Sequence, residues 1–315
     1  MIQILLFLWV ACALLIMCEQ KVVKVIIYFC TFSLITSACF LVLGAPDVAM
    51  AEGAVGTFMA IFFLICFEKF CRLTIDEPRD SPSKTNKTTI VKKYVIPLIF
   101  TVFLFGLFIY FIPDGDANTY LKHQYASIFM RDIGGENAVT AIYLGYRIYD
   151  TLFEALMLLV GVMAVIHVSW NTQPCTVERQ NSPLKESDKA VFIVRALCPI
   201  ILIFGVHLVA QGFLTPGGGF QGGVLIASFF ICRYMVYDIN DMPIIKLVFI
   251  EKLIFGSIIL TATFIIFLDY IAYIPDIYLP RFQNIYLITM NVLIGAKVTC
   301  GFVILFYRYI AIERR

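Results

Sequence analysis

Runs of about 17–25 apolar residues, the length that crosses a bilayer as a helix, recur nine times along this chain. They lie at approximately 2–18, 22–43, 47–68, 94–112, 139–168, 190–211, 217–237, 247–268 and 285–307. The pattern predicts an all-α fold, a polytopic transmembrane helical protein of about nine spans. Two polar stretches rich in Pro, Ser, Thr and Lys, 73–93 and 169–189, read as flexible linkers. They divide the runs into blocks of three, two and four, over residues 1–72, 94–168 and 190–315. Blocks so separated have the look of distinct polypeptides joined in one chain, and no internal repeat relates them.

Basic residues orient the spans. The stretch from Lys69 to Lys93 holds Lys69, Arg72, Arg79, Lys84, Lys87, Lys92 and Lys93, which marks it as cytoplasmic. Carried along the chain, that choice puts the N-terminus outside and the C-terminus, with Arg308, Arg314 and Arg315, inside. Lys122, Arg131 and Arg281 alone then fall on outer loops. Composition agrees with a membrane protein: 61% of the 315 residues are hydrophobic and 15% charged, with mean hydropathy +0.89, against about a quarter charged in soluble domains. A net charge of +2 and the lack of a basic stripe with interleaved aromatics argue against nucleic acid. The ten cysteines include no CxxC. They read as small buried hydrophobes rather than metal or cluster ligands. No basic leader or small-residue cleavage site precedes the first run, so it reads as a span and not a signal peptide.

Polar residues inside the spans carry the candidate chemistry, because a charge in the bilayer persists only where it pairs, lines a water-filled path or relays protons. The run Asn137–Val168 contains Arg147, Asp150 and Glu154. At 100° per residue the three share one helix face. Its 32 residues would make roughly 48 Å of helix, too long for one straight span, so the helix begins outside the bilayer, tilts or breaks, with Gly145 a candidate bend. Two carboxylates four residues apart in a poorly solvated site favour one shared proton. The alternative is Arg147 neutralising Asp150 as structural glue. In the first block, Pro46 suits a first helical position and Asp47 the positive end of that helix. Glu52 lies deeper, as a proton or cation carrier or as half of a buried ion pair. By helical rise Glu52 and Glu154 fall at similar depth and would meet if their spans pack together.

In the last block, Thr215 and Pro216 read as the N-cap and first residue of a span opening on Gly217, Gly218 and Gly219. The glycines serve either close helix packing or a cavity wall. His207 and Gln211 share a face, His207 being either a shuttle or a hydrogen-bonded core residue. Lys297, near the middle of the last run, must find a carboxylate or carbonyl partner or lose its charge. Glu251 and Lys252 read as interfacial groups that snorkel or pair.

Four stretches carry a resemblance: GAPDVAMAEGAVG (44–56), NAVTAIYLGYRIYDTLFEALMLLVGV (137–162), LTPGGGFQGG (214–223) and IGAKVTCG (294–301). In this order they resemble the Mrp-type multisubunit Na⁺/H⁺ antiporters and the related membrane arms of membrane-bound hydrogenases. The first two are similar to the D and E subunits of the hydrogenase, which also occur at the C-terminal end of the antiporter A subunit. The last two are similar to the antiporter B subunit, or to the F subunit of the hydrogenase. The resemblance implies a non-catalytic subunit of a large complex that moves Na⁺ or H⁺, with no cofactor in this chain. Implied partners are antiporter-like and small membrane subunits, or hydrogenase and other redox subunits, in the cell membrane of a prokaryote. It also implies that Glu52 and Glu154 lie on the ion path, with Asp150 in the same motif. Ala51 stands where relatives usually have Thr, and Phe213 where many have His; Gln211 stands where some have another. Lys297 is closer to the hydrogenase type. A structural clamp without a role in ion transfer is the alternative. A stand-alone membrane enzyme is disfavoured by scattered histidines, His123, His167 and His207, without metal spacing.

Overall fold

The computed structural model describes residues 2–71, 95–110, 115–170, 188–236, 244–271 and 280–311. The linker 73–93 and most of 169–189 lie outside the described residues. Those described are helical, with no strand among them. In chain order the helices are α1 (Ile2–Cys18), α2 (Val22–Val42), α3 (Pro46–Cys71), α4 (Ile96–Tyr110), α5 (Gly115–Asp132) and α6 (Ala138–Ala141). A π-helical turn (Ile142–Tyr146) follows, then α7 (Ile148–Trp170), α8 (Asp188–Gln211), α9 (Gly219–Val236), α10 (Ile244–Ile271) and α11 (Pro280–Ala311). Five segments are long and apolar enough to cross a membrane: Val22–Val42, Pro46–Phe67, Ile148–Val168, Val191–Gln211 and Asn284–Arg308. Ile2–Cys18, Leu98–Leu107 and Gly219–Arg233 are shorter apolar helices.

Two compact units form, one from Met1–Lys69 with Phe129–Arg315, the other from Phe70–Ile128. In the smaller unit every side chain described between Leu98 and Leu107 is exposed, which suits lipid or a partner rather than water. The polar helix α5 is an addition to the nine expected elements. Its sequence, GDANTYLKHQYASIFMRD, lacks the long apolar run by which the others are recognised.

In the larger unit α11 is central. Leu287, Met290, Asn291, Lys297 and Ile304 on it are fully buried. Around them pack Val224, Ala227 and Ile231 of α9, Ile258 and Ala262 of α10, Leu144 and Ile148 beside the π turn, and Phe58 of α3. Phe58 meets Phe302 edge to face, with ring centroids 4.6 Å apart, a geometry that aromatic quadrupoles favour. α9 lies against α11 so closely that a Cβ on Gly219 would stand 2.5 Å from the Asn291 carbonyl oxygen, and one on Gly223 2.7 Å from that of Gly295. The glycine run therefore serves close helix packing.

Polar side chains fix the outer helices. Trp9 Nε1 donates to Thr36 Oγ1 at 2.8 Å, joining α1 to α2, and Ser37 Oγ donates to the Ala49 carbonyl at 2.6 Å, joining α2 to α3. Helix α2 ends because Gly44 adopts φ 76°. The Ala45 N–H reaches the Phe40 carbonyl and the Gly44 N–H that of Leu41, the paired bonds of a Schellman motif. Between α1 and α2 the Glu19 carboxylate accepts the N–H groups of Lys21 and Gln20, which with Lys24 hold it below the usual carboxylate range.

One expected helix start is corrected. α9 begins at Gly219 and not at Pro216. The Thr215 N–H bonds back to the Gln211 carbonyl, and Gly217 at φ 151° lies outside helical dihedrals. Thr215–Gly218 is thus a turn between α8 and α9.

Candidate functional site

Two polar clusters lie inside the larger unit, bridged by α11. The first forms where α3 begins. Pro46 opens the helix with its fixed φ, and Asp47 in that turn is buried at 6% exposure. Asp47 Oδ1 accepts the Asn137 Nδ2–H at 3.0 Å and the Gly217 N–H at 2.9 Å. One carboxylate so gathers segments from all three sequence blocks. Asn137 extends the node. Its Nδ2 also donates to the Gly212 and Thr215 carbonyls, while its Oδ1 caps α6 by accepting from Val139 and Thr140. Thr140 Oγ1 donates to the Gly212 carbonyl at 2.6 Å.

The long run is interrupted by the π turn that precedes α7, which contains Gly145. A π turn frees carbonyls from the helical ladder, and side chains take them. Thr151 Oγ1 donates to the Tyr143 carbonyl at 2.6 Å and Tyr286 OH to the Leu144 carbonyl at 2.8 Å. The Tyr143 hydroxyl points across to α11 and donates to Asn291 Oδ1 at 2.7 Å, which also accepts the Gly219 N–H.

The second cluster starts about 9 Å further along α11, six residues on at 1.5 Å each. Lys297 Nζ donates to Glu251 Oε1 of α10 at 3.0 Å, and both residues are fully buried. The carboxylate partner that a midspan lysine requires is therefore Glu251, which pairs rather than snorkels. Glu251 Oε2 has no hydrogen-bond partner. Lys297 also lines a small, mostly apolar cavity of about 20 Å³, together with Thr151, Glu154, Ala155, Leu158, Phe220, Ile294 and Val298. The wall explains the register. Thr151, Glu154 and Leu158 follow one face of α7, and Ile294, Lys297 and Val298 one face of α11. Glu154 stands at the mouth, exposed on the surface of the chain.

Glu154 and Lys297 thus line one cavity. Glu52 is elsewhere, half-buried, with Oε1 accepting the Ser33 hydroxyl of α2 at 2.9 Å, and the cavity wall does not include it. Arg147 and Asp150 form an ion pair, both largely exposed. His207 is exposed on α8 and Gln211 half-buried at its end. Gly217, Gly218 and Gly219 are buried, Gly218 against the Tyr143 hydroxyl. Asn137, Thr140, Tyr143, Thr151, Glu251 and Asn291 also belong to the clusters, although the sequence pattern does not mark them as site residues. Asn137 has a readable signal, an N-cap residue directly before a helical run, and Glu251 has one in the unmet need of Lys297. No group of three or more metal-ligating side chains occurs among the described residues.

Residues 7–72 match the MbhD family, the D subunit of MBH, and residues 190–304 the family described as a domain related to the MnhB subunit of Na⁺/H⁺ antiporter. A protein of Methanocaldococcus jannaschii is 33% identical over 135 residues, 37% of this chain and 50% of that protein. Antiporter subunit mnhB2 of Staphylococcus epidermidis is 33% identical over 82 residues, 25% of this chain and 58% of that subunit. Antiporter subunit mnhA2 of Staphylococcus saprophyticus is 27% identical over 126 residues, 40% of this chain and 15% of that subunit. The chain thus spans from about a seventh to three-fifths of these relatives' lengths. The solved Mrp complex from Dietzia sp. superposes with TM-score 0.65 at 19% identity, over 95% of this chain and 34% of that one. An archaeal membrane-bound sulfane sulfur reductase superposes with TM-score 0.52 at 24% identity, over 67% of this chain and 95% of that one. These two likenesses establish the fold. This multi-pass membrane protein joins an MbhD-like domain, residues 7–72, to a domain related to the MnhB subunit of Na⁺/H⁺ antiporter, residues 190–304, in a single polypeptide.

Proposed function

We propose that the chain is a membrane subunit of a multisubunit Mrp-type complex and supplies part of the path by which Na⁺ or H⁺ crosses the bilayer. The complex is either an antiporter or a redox-driven pump. The observation that carries this is the cavity holding Glu154 and Lys297 beside fully buried Glu251. Ionisable groups gathered among apolar helices are what a route through hydrocarbon needs. Asp150, one turn from Glu154, sits at its approach, and Glu52 and His207 serve other faces of the same route. Nine spans cross the membrane of a prokaryotic cell, with the N-terminus outside and the C-terminus in the cytoplasm. Other antiporter-like and small membrane subunits cover the exposed apolar faces and the carboxylate of Glu154, which cannot face lipid.

A clamp role has its own support in the Asp47 node, which ties the three blocks together. The two roles fall on different residues and so are separable. Glu154→Gln in the intact complex, assayed in inverted membrane vesicles, abolishes cation/proton exchange while the complex stays whole on a native gel. Normal exchange refutes the path. Loss of the complex itself assigns Glu154 to the clamp.

A further inference from the structure

Helices α8 and α9 run antiparallel, and glycines set how they meet. A Cβ on Gly212 would stand 2.8 Å from the Gly218 Cα, one on Gly222 3.0 Å from the Val209 nitrogen, and one on Gly205 3.2 Å from the Ile226 nitrogen. From one meeting to the next the position falls on α8 by about as much as it rises on α9, so a single register runs through all three. Carried about two turns further, at 3.6 residues each, it sets Cys198 of α8 level with Cys232 and Arg233 of α9. Cys198 shares the face that carries Gly205 and Gly212, because each step of seven residues along the helix is close to two turns. Both thiols are free and half-buried. They lie near enough for the charge of one to act on the other, and Arg233 stands within the same reach of Cys198. A half-buried cysteine by itself packs as a small hydrophobe. Two that meet from different helices have a chemistry that neither has alone.

We infer that Cys198 and Cys232 are a redox-active thiol pair that closes into a disulfide between α8 and α9, with hydrogen peroxide as the oxidant. One sulfur attacks the peroxide, the O–O bond breaks, and a sulfenic acid forms as water leaves. The second sulfur then attacks the first, the S–O bond breaks, and the S–S bond forms with release of another water. The two thiols together give up two electrons and two protons, and the peroxide takes up both. Closure requires Cα atoms within about 7 Å, and small residues between helices are what bring backbones that close. Arg233 marks this end of the helices as the cytoplasmic one. In that reducing compartment disulfides are transient and redox-sensing, so the pair is open at rest and a cytosolic dithiol reopens it by exchange. While closed, the bond ties α8 to α9 at the end far from the Thr215–Gly218 turn, and the two helices move only as one.

The pair is independent of the proposed ion path, and its test reads the bond itself. Membranes holding the full chain in its complex are treated with hydrogen peroxide. The remaining thiols are capped with N-ethylmaleimide, and the digested peptides are weighed by mass spectrometry. The expected result is a Cys198–Cys232 linked peptide that rises at least tenfold over untreated membranes and disappears after dithiothreitol. Capped or singly oxidised cysteines without that peptide overturn the pair, as does a disulfide from either one mainly to some other cysteine. Phenylarsine oxide, which bridges neighbouring thiols, gives a second reading without an oxidant. It is expected to shield Cys198 and Cys232 together from maleimide in the wild-type chain, and to leave Cys232 open in Cys198→Ser. Equal shielding of Cys232 in that variant overturns the pair. Should the variant not assemble, the linked peptide of the wild-type chain decides alone.

Discussion

Removing the carboxylate of Asp47 should loosen the larger unit more than any single apolar truncation at its surface. Asp47→Ala deletes the acceptor of two buried bonds, from Asn137 Nδ2 at 3.0 Å and the Gly217 N–H at 2.9 Å. Hydrogen bonds to a charged partner contribute about 1.5–3 kcal/mol each, and buried donors left without one keep their desolvation cost. The loss is therefore about 3–6 kcal/mol. At roughly 2 °C per kcal/mol the midpoint falls by ~6–12 °C. Asp47→Asn keeps one acceptor oxygen and should lose less than half as much. Buried Cys12 and Cys39 allow the assay, a thiol-reactive dye that fluoresces as they become exposed on heating in detergent. A midpoint shift for Asp47→Ala under about 2 °C, equivalent to roughly 1 kcal/mol, would refute the node as a source of cohesion.

Other outcomes follow from the same geometry. Gly219→Ala drives a methyl group into the Asn291 carbonyl and should abolish stable expression, whereas Gly256→Ala meets nothing within 4 Å. The latter should stabilise by up to about 1 kcal/mol through helix propensity; the yield of folded protein checks the first variant and thermal unfolding the second. Tyr286→Phe removes the bond to the Leu144 carbonyl at a cost of about 1 kcal/mol; faster amide hydrogen exchange at the π turn, with unchanged exchange in α10, is the expected signature. Asn137→Ala removes the cap of α6 together with the two amide hydrogens shared among Asp47, Gly212 and Thr215 and should destabilise at least as much as Asp47→Ala in the dye assay.

Apolar run length is enough to place nine of the helices, because a bilayer-spanning helix must hide its backbone from lipid and so needs unbroken apolar cover. The same criterion is blind to α5, whose sequence is polar. A start outside the bilayer, a tilt or a break is legible from length, since 32 residues exceed a straight span, and Gly145 falls within the π turn that interrupts the helix. The face shared by Arg147, Asp150 and Glu154 is less so. Counting 100° per residue assumes a continuous helix, yet Arg147 has φ −123° and ψ 35° at the end of the π turn. The Arg147–Asp150 pair forms, while Glu154 turns to the cavity instead. Thr215 and Pro216 imitate a helix start in sequence, and only the Asp47 carboxylate, distant in the chain, shows why Gly217 turns its N–H away. Glu251 escapes a sequence reading for a related reason. Its distance from the end of an apolar run suggests an interface, but the packing of α10 on α11 determines its burial, and pairing across helices leaves no local pattern.

Access of water to the space beside Glu154 and Lys297 is the most direct check on an ion route there. Ala155→Cys, placed in the cavity wall of a complex otherwise free of reactive cysteines, is treated in membranes with a small, charged, membrane-impermeant thiol reagent from either side. Modification from at least one side, with cation/proton exchange blocked in proportion, is the predicted result. An unreactive thiol from both sides, or full exchange after complete modification, would contradict a path through this cavity.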